Sequence, residues 1–422
     1  MAEPARALDG VRVVDASRIL AGPYCGMILG DLGATVVKIE EPERGDDTRR
    51  WGPPFTDAGE SAYYLSVNRS KLGVALDLAT PAGRSTFEAL LDRADVLIEN
   101  YKTATRESLG LAGDAPRTRF PRLVHAAVSG FGASGSRAAR PGYDSIAQAE
   151  SGLMSITGPP DGDPYKLGVA ISDLAAGLHA AVGILAALRR RDRTGEGQLV
   201  DVSLLDASLG LLANVGSSWL VAGETPERWG NAHASIVPYE PVATADGMLM
   251  LAVGNDRQFR ALCEALGDPA LADDPRFATN PERVKNRADL LPRLAGRFRT
   301  RTRAHWQLSL DRLGVPAGPV RTVPEALEGE IARERNMVVE VGRPGEPSTR
   351  AIGPVPKLSH SPAIPHLPPP RIGEHTESVL SSWLGYDAAK IAALRAAGAF
   401  GADPSAPPPS VPESSARPAG GS

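Results

Sequence analysis

The run VRVVDASRILAGPYCGMILGDLGATVVKIE, residues 11–40, holds a complete strand–helix–strand unit. Val11–Asp15 is mostly apolar, as a strand covered on both faces must be. A loop from Ala16 to Pro23 leads into a helix near Tyr24–Leu32, Gly33 closes that helix, and Thr35–Ile39 is a second apolar strand. Right-handed crossover makes two such strands parallel neighbours in one sheet. The pattern recurs downstream: a strand near Val74–Leu78, a helix over Pro81–Arg93, then strands at Val96–Glu99, Leu123–Val128 and Gln198–Val202. This alternation predicts an α/β fold with a doubly wound parallel sheet and ligands at the carboxyl ends of its strands.

A long helix over Leu204–Ala222 ends the first region, and after Gly223 the texture changes. Val242–Ala245 and Met248–Val253 flank Asp246-Gly247, a strong hairpin signal. Helical segments follow near Arg257–Leu266, Pro281–Phe298 and Arg303–Leu313, with a short strand at Gly318–Arg321. That is the pattern of a smaller α+β domain. The chain is therefore divided into 1–222, 223–330 and 331–400, with 401–422 a tail too poor in apolar residues to fold.

A net charge of −4 without a basic, aromatic-laced stripe gives no case for nucleic acid. Cys25 and Cys263 are the only cysteines, which excludes a disulfide framework and a cysteine-based zinc site. The N-terminus lacks the apolar run of a signal peptide, and the apolar run at 174–188, interrupted by His179, is too short to span a bilayer. A cytoplasmic protein with no membrane partner is expected.

That run, from Leu174 to Leu188, reads as a helix buried all round, with Arg189–Arg191 and Gly195 marking its end. At its mouth stands Asp173. Ser172 or Asp173 could cap the helix. Alternatively, Asp173 is a nucleophilic carboxylate, oriented and kept ionised by the backbone amides of the first turn. Other motifs are weaker. Gly130–Gly135 (GFGASG) matches a dinucleotide fingerprint in form, but Pro141 and Gly142 follow where a helix should open. There is no Walker loop, no paired-histidine zinc motif and no GxSxG elbow.

The ordered set LDGVRVVDASRILAGP, DLGATVVKIE, GDDTRRWGPPF, YYLSVNRSKLGVALDL, DVLIENY, SGFGASG, GYDSIAQAESGLMSITG, SDLAAGLHAAVGILAAL, GVPAGPV and IGEHT resembles the class III CoA-transferases. That family includes formyl-CoA transferase, carnitine CoA-transferase and the α-methylacyl-CoA racemases, and the resemblance covers residues 7–399. It implies a Rossmann-like large domain made from both ends of the chain, an inserted small domain, and an interlocked homodimer. It implies no permanently bound cofactor and no metal, with CoA and acyl-CoA as substrates. Asp173 stands at the position of the family's nucleophile, which carries CoA as an aspartyl thioester. CoA contacts carry over to Leu20 and Ala21, to Leu76, Asp77 and Leu78, and to Asn100, Tyr101 and Lys102. Thr103-Ala104 and Ser108 depart from the family pattern, with Arg106 near enough to replace the missing cation. Arg49, Arg50 and Lys71 are further candidates for the CoA phosphates.

Racemases of the family carry a histidine where this chain has Tyr143, and a phenol with a pKa of about 10 is a poor proton shuttle near neutrality. The resemblance thus implies a transferase, with Tyr143 shaping the acyl pocket. ERWGNAHASIVPYEP, residues 227–241, is most similar to the members that move CoA from succinyl-CoA to small dicarboxylic acids such as glutarate. Ala234 stands there in place of a glycine, and Arg228, His233 and Arg18 are the candidates for a distal carboxylate. An acyl-CoA racemase or isomerase, and more remotely a nicotinamide-dependent oxidoreductase, are the alternatives.

Overall fold

The structure, a computed structural model, describes residues 5–401; the tail expected from 401 onward lies outside them from residue 402. Six parallel strands form the main sheet: β1 (Arg12–Asp15), β2 (Thr35–Glu40), β3 (Lys71–Ala75), β4 (Val96–Glu99), β5 (Val124–Ser129) and β6 (Leu199–Ser203). Their order is β3-β2-β1-β4-β5-β6, so the chain winds outward from β1 in both directions. Val13 stands beside Val36 on one side and Val96 on the other, and strand interiors of this kind have almost no exposed surface. Loops after β1, β2, β4 and β5 all open at the same edge, as parallel pairing requires.

Two helices cover the face that carries the site: α1 (Ala21–Asp31) and the 24-residue α6 (Ile171–Thr194). Between them in the chain lie α2 (Ala62–Val67), α3 (Pro81–Arg93), α4 (Thr103–Ser108) and α5 (Asp144–Glu150). Apolar residues of α1, α6, β1, β4 and β5 share one core. A Cβ on Gly26 would come within 2.7 Å of Asp15 Oδ2, so only glycine lets α1 lie over the charged end of β1. Gly195, at φ +77°, terminates α6, and Arg191 near its end holds Asp95 at 2.7 Å.

Three expectations change. α6 is not buried all round, because Leu178, Val182 and Leu185 form an exposed apolar stripe one helical turn apart. It is also long and apolar enough to cross a bilayer by length and composition, contrary to the reading of 174–188 alone; its other face packs on β5, β6 and α1. The single helix expected over 204–222 is two, α7 (Leu204–Gly210) and α8 (Ala213–Ala222), bent by 75° where Ala213 takes a φ of +42°.

Beyond α8 the chain builds a second core around an antiparallel sheet of β7 (Pro241–Ala243), β8 (Met248–Leu251) and β9 (Ala317–Pro319). It returns through a hairpin of β10 (Val338–Val341) and β11 (Thr349–Ile352). The returning segment closes the open edge of β3: Ser70 N–H donates to Leu367 O at 2.8 Å, and Gly73 exchanges hydrogen bonds with the backbone and ring of His375. Helices Thr376–Leu384 and Ala388–Ala396 then add Val379, Leu380 and Ile391 to the core on the far face of the sheet.

Candidate active site

Asp173 sits in the first turn of α6, but neither it nor Ser172 caps that helix: the N-cap is Ala170 and receives no side-chain bond. The cap comes instead from another helix. Asp144, the first residue of α5, accepts the Ser172 N–H on Oδ1 at 2.8 Å and the Gln148 amide on Oδ2 at 2.7 Å. Gln148 in turn accepts the Leu167 N–H at 2.9 Å, which ties down the segment entering α6.

Asp173 itself has no hydrogen-bond partner among the described residues. Burial, followed by the negative charge of Asp144, pushes its carboxyl up to about 7. This reverses the expectation that first-turn amides keep it fully ionised: the amide of Ser172 is taken up by Asp144. A half-buried carboxylate with little hydrogen bonding is more basic than usual and less solvated, and both properties favour nucleophilic attack.

The walls are apolar and phenolic. Leu20, Met27 and Val67 pack with Ile19, Tyr24, Tyr63, Ala170 and Leu174, joining the loop after β1, α1, α2 and the mouth of α6. Tyr63 was not singled out from the sequence, since YYLSV distinguishes it from Tyr64 in no local way. Burial, then the charges of Asp173 and Asp144, raise its hydroxyl to about 12, so it stays a proton donor facing two carboxylates. Its ring meets Trp51 edge-on at 5.1 Å. One turn beyond Asp173, a Cβ on Gly177 would lie 2.6 Å from Ala21 O; glycine there lets α6 press against the start of α1.

Two of the three segments expected to contact CoA come together beside this wall. Asn100 Oδ1 accepts the Arg18 N–H at 2.9 Å, and its Nδ2 donates to Arg18 O at 2.7 Å, so the loop bearing Leu20 and Ala21 is stitched to Asn100–Lys102. Lys102, Arg18 and Arg50 keep exposed side chains at this edge. The third segment lies at the far edge of the sheet: Leu76 is a core residue, and the Asp77 N–H donates to Ala399 O, with Leu78 packed nearby. Tyr101 lies against the same core, its N–H on Glu99.

Several expected ligand cations have other work. Lys71 is fully buried and holds Asp15 at 2.8 Å, Asn68 Oδ1 and Pro23 O. Arg49 grips Glu40 with two nitrogens and stacks on Tyr64. Arg106 turns inward to Glu99 at 2.9 Å, where His125 also lies, and so does not replace the cation missing at Ser108. Arg228 places its guanidinium in a cradle of carbonyls, donating to Ser155 O, Pro159 O and Gly162 O at 3.3, 3.2 and 2.8 Å. It is a clamp on the loop ahead of α6 rather than a free partner for a distal carboxylate. His233 faces Ser235 and Tyr239 in the linker, and Tyr143 is 62% exposed just before Asp144. No helix follows Gly135 before α5, so the glycine loop does not cradle a dinucleotide.

The chain belongs to CoA-transferase family III, whose model matches residues 8–376. It is therefore an enzyme that transfers CoA. It is similar to succinyl-CoA:glutarate CoA-transferase of Mus musculus, 40% identical over 391 residues that span 93% of this chain and 89% of that one. It is 41% identical to succinate–glutarate CoA-transferase of Agrobacterium fabrum over 379 residues, 89% of this chain and 95% of that protein. The crystal structure of a CAIB/BAIF family protein from Brucella suis superposes with a TM-score of 0.81 at 39% identity, covering 90% of this chain and 99% of that one.

Proposed function

We propose that the enzyme moves CoA from succinyl-CoA to glutarate or an equally short dicarboxylic acid, with Asp173 as the covalent carrier. The observation that carries this reading is the unpartnered carboxylate of Asp173, buried until it titrates at about 7, at the meeting point of α6, α2 and the loop after β1. An Asp173 oxygen attacks the thioester carbonyl, the C–S bond breaks, and CoA leaves as thiolate from a mixed anhydride. The thiolate then attacks the Asp173 carbonyl carbon and expels succinate, which leaves CoA on Asp173 as a thioester. The acceptor carboxylate attacks that thioester and displaces the thiolate. Thiolate attack on the acceptor's carbonyl frees the new CoA ester and restores Asp173. No proton is gained or lost over the cycle, and the energy of the thioester is kept.

The apolar wall of Leu20, Met27 and Leu174 keeps water from the anhydride. The Tyr63 hydroxyl, held protonated, donates to oxygen atoms of the acyl group. CoA runs along Leu20–Ala21 and Asn100–Lys102, with Arg18, Arg50 and Lys102 toward its phosphates. Tyr143, where a racemase would have histidine, borders the acyl pocket. The working form is an interlocked homodimer, a reading supported by the exposed stripe on α6 and by Trp219, Leu220 and Val221 on α8. Two unpaired, buried cysteines fit a cytoplasmic setting.

The test is to incubate the enzyme with succinyl-CoA, trap with hydroxylamine or borohydride, and map the product by mass spectrometry. Modification of Asp173 is expected, together with loss of transfer in a folded Asp173→Ala variant. Full activity in that variant would remove the reading. A panel of mono- and dicarboxylic acceptors then defines the acid.

A further inference from the structure

The loop between β1 and α1 contains a backbone outlier. Ile19 has a φ of +74°, a left-handed conformation that β-branched residues almost never adopt. Its N–H points at both oxygens of Asp46, 3.2 Å from each. Asp46 is 1% exposed and sits on a fully buried Lys38 at 2.9 Å, while Lys38 also donates to Ser17 O at 3.1 Å. The Thr48 N–H and hydroxyl occupy the remaining side of the Asp46 carboxylate at 3.0 and 2.8 Å. Burial alone would raise the Asp46 carboxyl, but Lys38 and Thr48 outweigh it and hold the group at about 2. A permanently charged acceptor is thus aimed at the one strained peptide of the loop, from a different strand connection. Of the next residues, Leu20 packs with Leu174 of α6, and Ala21 is the residue whose carbonyl α6 meets at Gly177.

We propose that Asp46, seated on Lys38, is a positioning residue for CoA transfer: it locks Ile19 in the left-handed conformation and so fixes the Leu20–Ala21 segment beside Asp173. This rests on the reading of Asp173 as the carrier. A residue with a side chain incurs roughly a tenfold population penalty in this conformation, whereas glycine incurs almost none. Once the anchor is weakened, Ile19 relaxes and the loop leaves its place; glycine at 19 takes the same conformation without strain and so depends less on the anchor.

The experiment is a double-mutant cycle on the full chain, reading kcat and KM for CoA transfer from succinyl-CoA to glutarate, with thermal unfolding as the control for folding. Asp46→Asn is expected to lower kcat about tenfold, with a smaller change in KM. In the Ile19→Gly background, the same substitution should cost less than about threefold relative to Ile19→Gly itself. Should Asp46→Asn fail to fold, Lys38→Met with Asp46→Asn removes both charges and enters the same cycle. A loss of equal size with and without Ile19→Gly, or no loss at all, overturns the proposal. Failure of the carrier reading would look different: the wild-type enzyme would transfer CoA without modification at Asp173.

Discussion

Replacing Asp144 with asparagine tests the electrostatics of the carrier directly. The amide side chain keeps an oxygen for the Ser172 N–H, so the cap on α6 survives while the charge facing Asp173 is lost, together with the bond from the Gln148 amide, which an amide nitrogen cannot accept. Burial is the larger cause of the rise in Asp173 from 3.8 to about 7, and Asp144 the smaller. Removing the smaller cause should lower the titration midpoint by about one pH unit. The reactive form is the carboxylate, so in wild type the rate of aspartyl-CoA formation rises with pH through about 7 and levels off above it. In Asp144→Asn the whole rise shifts to lower pH. At pH 6 the ionised fraction grows from roughly a tenth to roughly a half, about a fivefold faster first half-reaction. At pH 8.5 the variant should be somewhat slower, because a less basic carboxylate is a weaker nucleophile. Rapid quench from pH 5.5 to 8.5, with the adduct quantified by mass spectrometry, reads both effects. An unmoved midpoint would show that Asp144 does not set the ionisation of the attacking group.

Two further outcomes follow from the same site. Because the folded-state pKa of Asp173 lies above its unfolded value, its protonated form favours folding below about pH 4, and that contribution is lost as pH rises through about 7; Asp173→Asn should therefore raise the melting temperature at pH 8 and change it little at pH 4, with at most about 4 kcal/mol at stake. A pH-independent effect in calorimetry would contradict this. Arg228→Met should depress transfer to glutarate and to a monocarboxylate of similar length by the same factor and speed protease cleavage within 155–162, since the guanidinium holds that loop's carbonyls; selective loss of glutarate activity would return Arg228 to the substrate.

Most of the sheet was legible because its strands are short valine-rich runs, although β3 lies at Lys71–Ala75 rather than Val74–Leu78, and the order of the motifs carried the rest of the large domain. The break at Leu211–Leu212 was not, since SLGLLANVG is compatible with one helix and nothing in it announces the left-handed φ of +42° that Ala213 takes. Lys71, Arg49 and Arg106 were misread as ligands for the same physical reason. A basic residue declares its charge but not its partner, and Asp15 lies 56 residues from Lys71. A usable signal did exist: Asp15, Lys38, Glu40 and Glu99 all sit in or at the ends of apolar strands, where a charge is buried unless it meets its opposite. Asp144 was in view as part of GYD, yet its reach to Ser172, 28 residues on, is a tertiary fact.

The closure of β3 by Leu367 and His375 has a consequence for how the chain is made. Ser70 and Gly73 leave the ribosome some 300 residues before the residues that cover them. At roughly 5–20 residues per second, the nascent sheet presents an unpaired edge for about 15–60 seconds. During that interval the N-terminal region offers a ready template for another strand. Translation pauses upstream of residue 367 would lengthen that exposure and stop codons there would leave the edge open for good, so such products should be aggregation-prone even though every catalytic residue has already been synthesised.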